Sequence, residues 1–448
     1  MREIEFTGRR GSVFSITWPI FVELVLQMLV GNADQMMVSR YSQSAVGAVS
    51  NANQMIGLLI LFFNVVSMAS TILITQYIGA GKPERAEEIY SLSLFVNLLA
   101  GLGVSGLLMF CSRPIYTLMK VPGELMDQTC LYSSIVGGGM VFQSLYVTFI
   151  AFFRSNAMMK VTMFVSAVLN LANIGGNFIL INGFWGIPAL GVAGAAISSD
   201  MSRLIGLFVI VLLFRRLVGS RISVRALRPF PFEQLNRLLR IGLPSGGESI
   251  SYNLSQLAIQ AMCNLFPVFV INTKAFAGTF AMITYIFASA ISQATQVMVG
   301  YLMGARRTED TNRRVMATLK LAVAVSFLIS VLLYFGSDWL FGLFTDDAGV
   351  IRLGRRILAV EMILEIGRAV NIVLVGALQA AGDIRFPIYV SVIDVWIVAV
   401  GAGYLLGVWG GWGLSGIWAA MAADECIRGM VLLIRWRRGM WRSRNLLA

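Results

Sequence analysis

Residues 14–38 read FSITWPIFVELVLQMLVGNADQMMV, a run with no basic side chain and only two acids, Glu23 and Asp34. A helix of that length covers the roughly 30 Å of a bilayer's hydrocarbon core. Similar apolar stretches lie near 52–78, 90–112, 130–153, 161–182, 190–214, 240–265, 275–303, 315–336, 356–379, 386–408 and 413–435. The expected fold class is therefore an all-α polytopic membrane protein of twelve transmembrane helices. Composition agrees: of 448 residues, 57% are hydrophobic and 13% charged, too few charges to wet a soluble surface. A soluble enzyme is excluded, and the net charge of +12 does not describe a soluble nucleic-acid-binding face.

No histidine is present, and Cys111, Cys130, Cys263 and Cys426 show no metal-ligand spacing. No cofactor or resident metal is expected, and any proton chemistry must use carboxylates. The polar start, MREIEFTGRRGS, enters the first apolar run without a small-residue cleavage site, so no removable signal peptide is expected.

Basic residues sort to alternate connections. Arg9, Arg10, Lys82, Arg85, Arg154, Lys160, the run from Arg215 to Arg240, Arg306–Arg314, Arg385 and the tail RWRRGMWRSR share one side; the other side is poor in them. The positive-inside rule puts the rich side, with both termini, in the cytoplasm. The linker and tail are expected to touch anionic headgroups.

The halves also repeat. Pro19 matches Pro244, Gly79 matches Gly304, and RSNAMMK at 154–160 matches QAAGDIR at 379–385, all at an offset of 225; GVAGAAI from Gly191 matches GLSGIWA from Gly413 after a slip of three. The expected division is 1–214 as an N-terminal six-helix lobe, 215–239 as a basic cytoplasmic linker, and 240–448 as a C-terminal six-helix lobe with a basic tail. Each lobe keeps the same orientation, so the two are pseudo-symmetric around a central cleft. Such a plan suits alternating access, and without a Walker A pattern the drive is expected to be an ion gradient.

Across nearly its full length the chain resembles the multidrug and toxic compound extrusion (MATE) family of bacteria, its DinF-like branch included. The resemblance is carried by Pro19 followed by Asp34, QYIGAGKPERA, FFRSNAMMKVTMFVSAVLNLANIGGNFILI, GVAGAAISS and GALQAAGD. It implies two six-helix lobes exporting cationic amphiphilic compounds in exchange for protons or sodium ions, from a monomer in the bacterial inner membrane with no nucleic-acid partner.

Asp34 lies about 6 Å below the outer interface by helical rise, where a carboxylate is costly and usually functional. Asn173 and Asn177 share one helix face, and Ser199 and Asp200 sit near mid-depth of span six. The resemblance gives Asp34, Asn173, Asn177 and Ser199 as the cation-coupling cluster, joined by Asp200 if it turns inward; pairing of Asp200 with Arg203 is the alternative. Asn177 stands where some relatives have Asp. The second half holds Glu248, Glu365, Arg368, Asp394, Asp424, Glu425 and Arg428, either a cation site or a structural ion-pair network; Glu361 reads as interfacial. Relatives with a second-lobe sodium site have an acid where this chain has Arg368, which tilts the expectation toward proton coupling. Glu23 and Glu248 are repeat equivalents and suggest a shared structural role. Substrate contacts are expected at Gln27, Met28, Asn53, Gln143, Gln256, Gln260, Met282 and Gln293. The rival readings are a lipid-linked oligosaccharide flippase, which would need a cationic cleft lining, an exporter of one particular metabolite, and a membrane enzyme, for which no reactive constellation is visible.

Overall fold

The computed structural model describes residues 11–184, 186, 188–220, 222–223, 227–444 and 446–447, without the side chains of residues 11 and 12. The polar start with Arg9 and Arg10, and Arg221 and Arg225 of the linker, lie outside them.

The described elements are helices: α1 (Gly11–Tyr41), α2 (Gln43–Gly79), α3 (Pro83–Leu118), α4 (Gly123–Gly138), α5 (Met140–Ser155), α6 (Met159–Asn182), α7 (Gly191–Leu217), α8 (Phe232–Cys263), α9 (Val268–Gly304), α10 (Thr308–Phe335), α11 (Ser337–Gly342), α12 (Ala348–Ala381), α13 (Arg385–Asp394) and α14 (Gly413–Arg437). Wider π-helical turns carry α13 on through Val395–Ala402 and Tyr404–Trp409. The fourth predicted span is in fact two helices, α4 and α5, bent by 50° at Gly139. With that pair and extended α13 each taken as one span, and the short α11 set aside, twelve transmembrane helices result. Each predicted stretch lies within its helix to two residues.

Eight of these helices are apolar enough to cross a bilayer on composition alone, and the bent pair makes a ninth. The remaining three are α8, α12 and α14, and the charges within the spans are densest on α12 and α14. On α12 and α14 that charge is turned inward: Glu361, Glu365, Arg368, Asp424, Glu425 and Arg428 are all buried, as ionisable groups in a membrane interior should be.

Helix boundaries reproduce the repeat. α2 and α9 start 225 residues apart and end 225 apart, α3 and α10 start in the same register, and so do α4 and α12. The three-residue slip reappears between the starts of α7 and α14, at Gly191 and Gly413. Both of these glycines have positive φ, +53° and +59°, a conformation that costs an L side chain about 1–2 kcal/mol. Three residues on, Gly194 packs so closely on the Leu180 carbonyl, and Gly416 on the backbone at Leu406, that a Cβ at either would collide with main chain. The repeated GxxG thus turns the chain into the sixth helix of each half and lets it lie against the fifth, the use of small residues expected where helices pack in lipid.

The chain forms two compact units. The first holds Val22–Ile78 and Lys82–Gly242; the second holds Leu243–Ala448 with Gly79–Gly81 and the start of α1 as far as Phe21. Residues 215–239, read as a linker, fall within the first unit, and α8 begins inside that stretch at Phe232. In the first unit Ile56, Phe63, Leu108, Tyr116, Val136 and Met140 centre the apolar core. In the second, Phe280, Phe341, Ile357, Leu364 and Trp418 do so.

Candidate functional site

In the first unit, α1 brings Asp34 against α6. Asn177 Nδ2 donates to Asp34 Oδ1 at 2.6 Å. The Asn173 amide, one turn away, satisfies its neighbours when its nitrogen faces Asp34, donating to Oδ1 at 2.8 Å and Oδ2 at 3.3 Å; the other amide position then lies 3.4 Å from Ser199 Oγ. Ser198 Oγ ties the Asn173 carbonyl to α7 at 2.9 Å, fixing the height of the two helices. Asn173 and Asn177 are 5% and 1% exposed, so the amides belong to a dry wall while Asp34 remains half-buried.

Asp200 takes the alternative reading. Its carboxylate pairs with Arg203 at 3.2 Å and presses so closely on Gly139 that a side chain there would strike it. It therefore sits at the α4–α5 bend. Tyr132, on α4, reaches Asn53 at 3.4 Å and lies beside Ser199. Tyr132 and Asn170 are parts of this polar wall missing from the sequence reading. Asn170 was visible in principle, since 166, 170, 173 and 177 are spaced four, three and four and so fall on one helical face; Tyr132 carried no comparable signal.

The second unit gathers its charges from four elements. Arg368 pairs with Glu365, with Glu361 at 3.5 Å and with Glu425 at 3.7 Å. Arg428 pairs with Asp424 and, at 3.1 Å, with Glu425, and Asn371 donates to Glu425 at 2.8 Å. Glu361 joins this network: it is 2% exposed and accepts from Trp418 Nε1 at 2.5 Å. Asp394 on α13 lies beside Asp424, and Glu248 on α8 lies near Ser391 and Arg428. Buried oxygens of Glu365, Asp394 and Asp424 accept no hydrogen bond. Tyr252, Gln256, Arg368, Ala399, Met421, Asp424 and Glu425 line a small cavity here. No cluster of His, Cys, Asp and Glu among the described residues has the arrangement to hold a metal ion.

The repeat-equivalent acids part company. Glu23, 1% exposed, accepts from Arg154 at 2.8 Å and Thr162 at 2.9 Å. At the positions matching Arg154 and Thr162 the second half has Gln379 and Pro387, so Glu248 cannot make the same pair.

The expected substrate contacts are dispersed. Gln27, Asn53 and Met282 are exposed, and Met28, Gln143, Gln256, Gln260 and Gln293 are half-buried. Gln256 lines the second-unit cavity. Gln260 is engaged by Lys274 and donates to Asn264 at 2.9 Å.

A duplicated six-helix unit, a carboxylate held in a polar wall of one unit and an inward-facing charge network in the other define a polytopic transporter. Comparison with known proteins agrees: the MatE family profile matches residues 19–179 and 244–405, two copies in the register of the repeat. The chain belongs to the MatE family, whose members are transporters and not enzymes. It is 36% identical over 430 residues to the uncharacterized transporter YisQ of Bacillus subtilis, covering 96% of this chain and 94% of that protein. It is 23% identical to the probable multidrug resistance protein NorM of Thermotoga maritima, covering 98% and 94%. Among solved structures, the Vibrio cholerae MATE transporter VcmN superposes with a TM-score of 0.87 at 18% identity, covering 97% of this chain and 98% of that one.

Proposed function

We propose that this protein is a secondary antiporter that exports cationic amphiphilic compounds in exchange for protons, with Asp34 as the coupling carboxylate. The Asn177–Asp34 hydrogen bond at 2.6 Å carries the reading. Two amides aim N–H groups at Asp34, a donor set suited to a carboxylate that gains and loses a proton; a sodium ion would need those amides to present oxygen instead. A proton arriving at Asp34 displaces a donor, which uncouples α1 from α6. Pro19, inside α1, and the Gly31 backbone are the places where that helix can yield. Ion and substrate then act through their different affinities for two conformations.

The basic residues support a location in the bacterial inner membrane with both termini and residues 215–239 on the cytoplasmic side. The substrate class rests on the probable multidrug resistance proteins among the relatives. Arg203, Arg368 and Arg428 each face acids at ion-pair distance, which speaks against a flippase that would need free cations for a pyrophosphate. The test is efflux of a fluorescent lipophilic cation from sealed vesicles under a pH gradient alone and a sodium gradient alone. Efflux driven by the first and not the second is expected; the reverse would move the coupling to sodium.

A further inference from the structure

The basic tail folds back onto its own unit. After α14 the chain turns at Gly439, φ +70°, and Trp441 stacks on Trp436 with ring centres 4.2 Å apart and planes within 12°. Trp441 is wholly buried and its Nε1 donates to the Trp436 carbonyl at 2.9 Å, satisfying one of the acceptors that a helix end leaves open. Trp436 Nε1 donates to Asn312 of α10 at 3.0 Å, and Arg442 reaches Glu309 on the first turn of the same helix at 2.8 Å. At the α12–α13 turn, Asp383, 3% exposed, takes Arg435 at 2.8 and 3.3 Å and Arg444 at 3.8 Å; Arg435 also lies over the Phe386 ring at 4.4 Å.

We propose that residues 438–444 are a clamp fixing the start of α10, the α12–α13 turn and the end of α14 as one body. Within it Arg442 is paired with Glu309 and Arg444 with Asp383. The first unit has a counterpart. Residues after α7 dock on α3, the repeat equivalent of α10: the Ser223 amide donates to Ser91 Oγ at 3.1 Å, and Phe230 packs edge-on to Phe95. In each half the segment following the sixth span fastens to the third span of its own bundle. If the protein is an antiporter, as proposed above, the clamp lets the second unit move without fraying, and its loss slows turnover.

The experiment is hydrogen–deuterium exchange on the full-length protein in lipid nanodiscs, comparing wild type with Trp441→Ala, Asp383→Arg, and Asp383→Arg combined with Arg435→Asp. Trp441→Ala and Asp383→Arg are expected to speed exchange by at least about tenfold in the first turn of α10, residues 382–386 and the last turns of α14, and nowhere else. The reversed pair should restore protection. Unchanged exchange in those segments, or equal acceleration along the whole chain, would overturn the clamp. This readout does not depend on transport, so a protein that exports nothing still tests it; reduced dye export per molecule in Trp441→Ala would tie the clamp to turnover.

Discussion

Asn177 and Asp34, 143 residues apart in sequence, are joined by a 2.6 Å hydrogen bond that fastens α6 to α1. An amide opposite a carboxylate in a largely apolar helix pair is worth more as a donor than as packing, because the ionised acid has few other ways of being satisfied there. Asn177→Leu, close in volume but without the donor, should lower dye export at least about tenfold, a fall set by the loss of one charge-assisted hydrogen bond. Export measured per molecule at matched abundance checks it, and wild-type export from the variant would take Asn177 out of the mechanism.

Glu23 and Arg154 make a different kind of contact. Glu23 is almost wholly buried and Arg154 half-buried, so Arg154→Gln strands a carboxylate, at a cost of about 3–5 kcal/mol. Glu23→Gln together with Arg154→Gln removes both charges and should recover most of the lost thermal stability in detergent. A double variant as unstable as the single one would mean that the pair contributes through packing rather than charge.

The repeat allows a comparison between halves. Ala157 and Arg306 have φ of +54° and +58°, while their equivalents at the 225-residue offset, Gly382 and Gly81, have +95° and +69°. At each of these two left-handed turns one half has glycine and the other a residue that resists the conformation, and the glycine is in the second half at one turn and the first half at the other. Ala157→Gly and Arg306→Gly are each expected to raise stability by about 1 kcal/mol, read as a higher melting temperature of the purified protein; a fall would mean that side-chain contacts outweigh the backbone.

Gly194 and Gly416 should behave in the opposite way. An added Cβ meets backbone that cannot step aside, and overpacking of this kind costs about 1–3 kcal/mol. Gly194→Ala and Gly416→Ala should both lower the melting temperature. Gly31→Ala, where a Cβ meets nothing within 4 Å, is the control and should leave it unchanged.

Much of this architecture was legible in the sequence because lipid imposes a simple rule on length and polarity. The predicted runs lie within the helices, and the Pro19–Pro244 and Gly79–Gly304 matches gave the register in which the helix boundaries repeat. The bend at Gly139 was not legible, since an apolar run reads alike whether its helix is straight or folded over Asp200. The part Glu361 plays in the charge network was not legible for a related reason: depth along the chain does not say which way a side chain turns, and this one turns inward to Trp418. Three arginines of RWRRGMWRSR, Arg435, Arg442 and Arg444, pair with Asp383 and Glu309, partners too distant in sequence to be read from the run itself.

The central claim is that Asp34 couples the ion to the substrate. It is tested most directly by loading sealed vesicles containing wild type or Asp34→Asn with a fluorescent lipophilic cation and imposing a pH gradient. Wild type should drive the dye across and Asp34→Asn should not, with both proteins equally abundant and folded. Equal gradient-driven transport by the two would contradict the account.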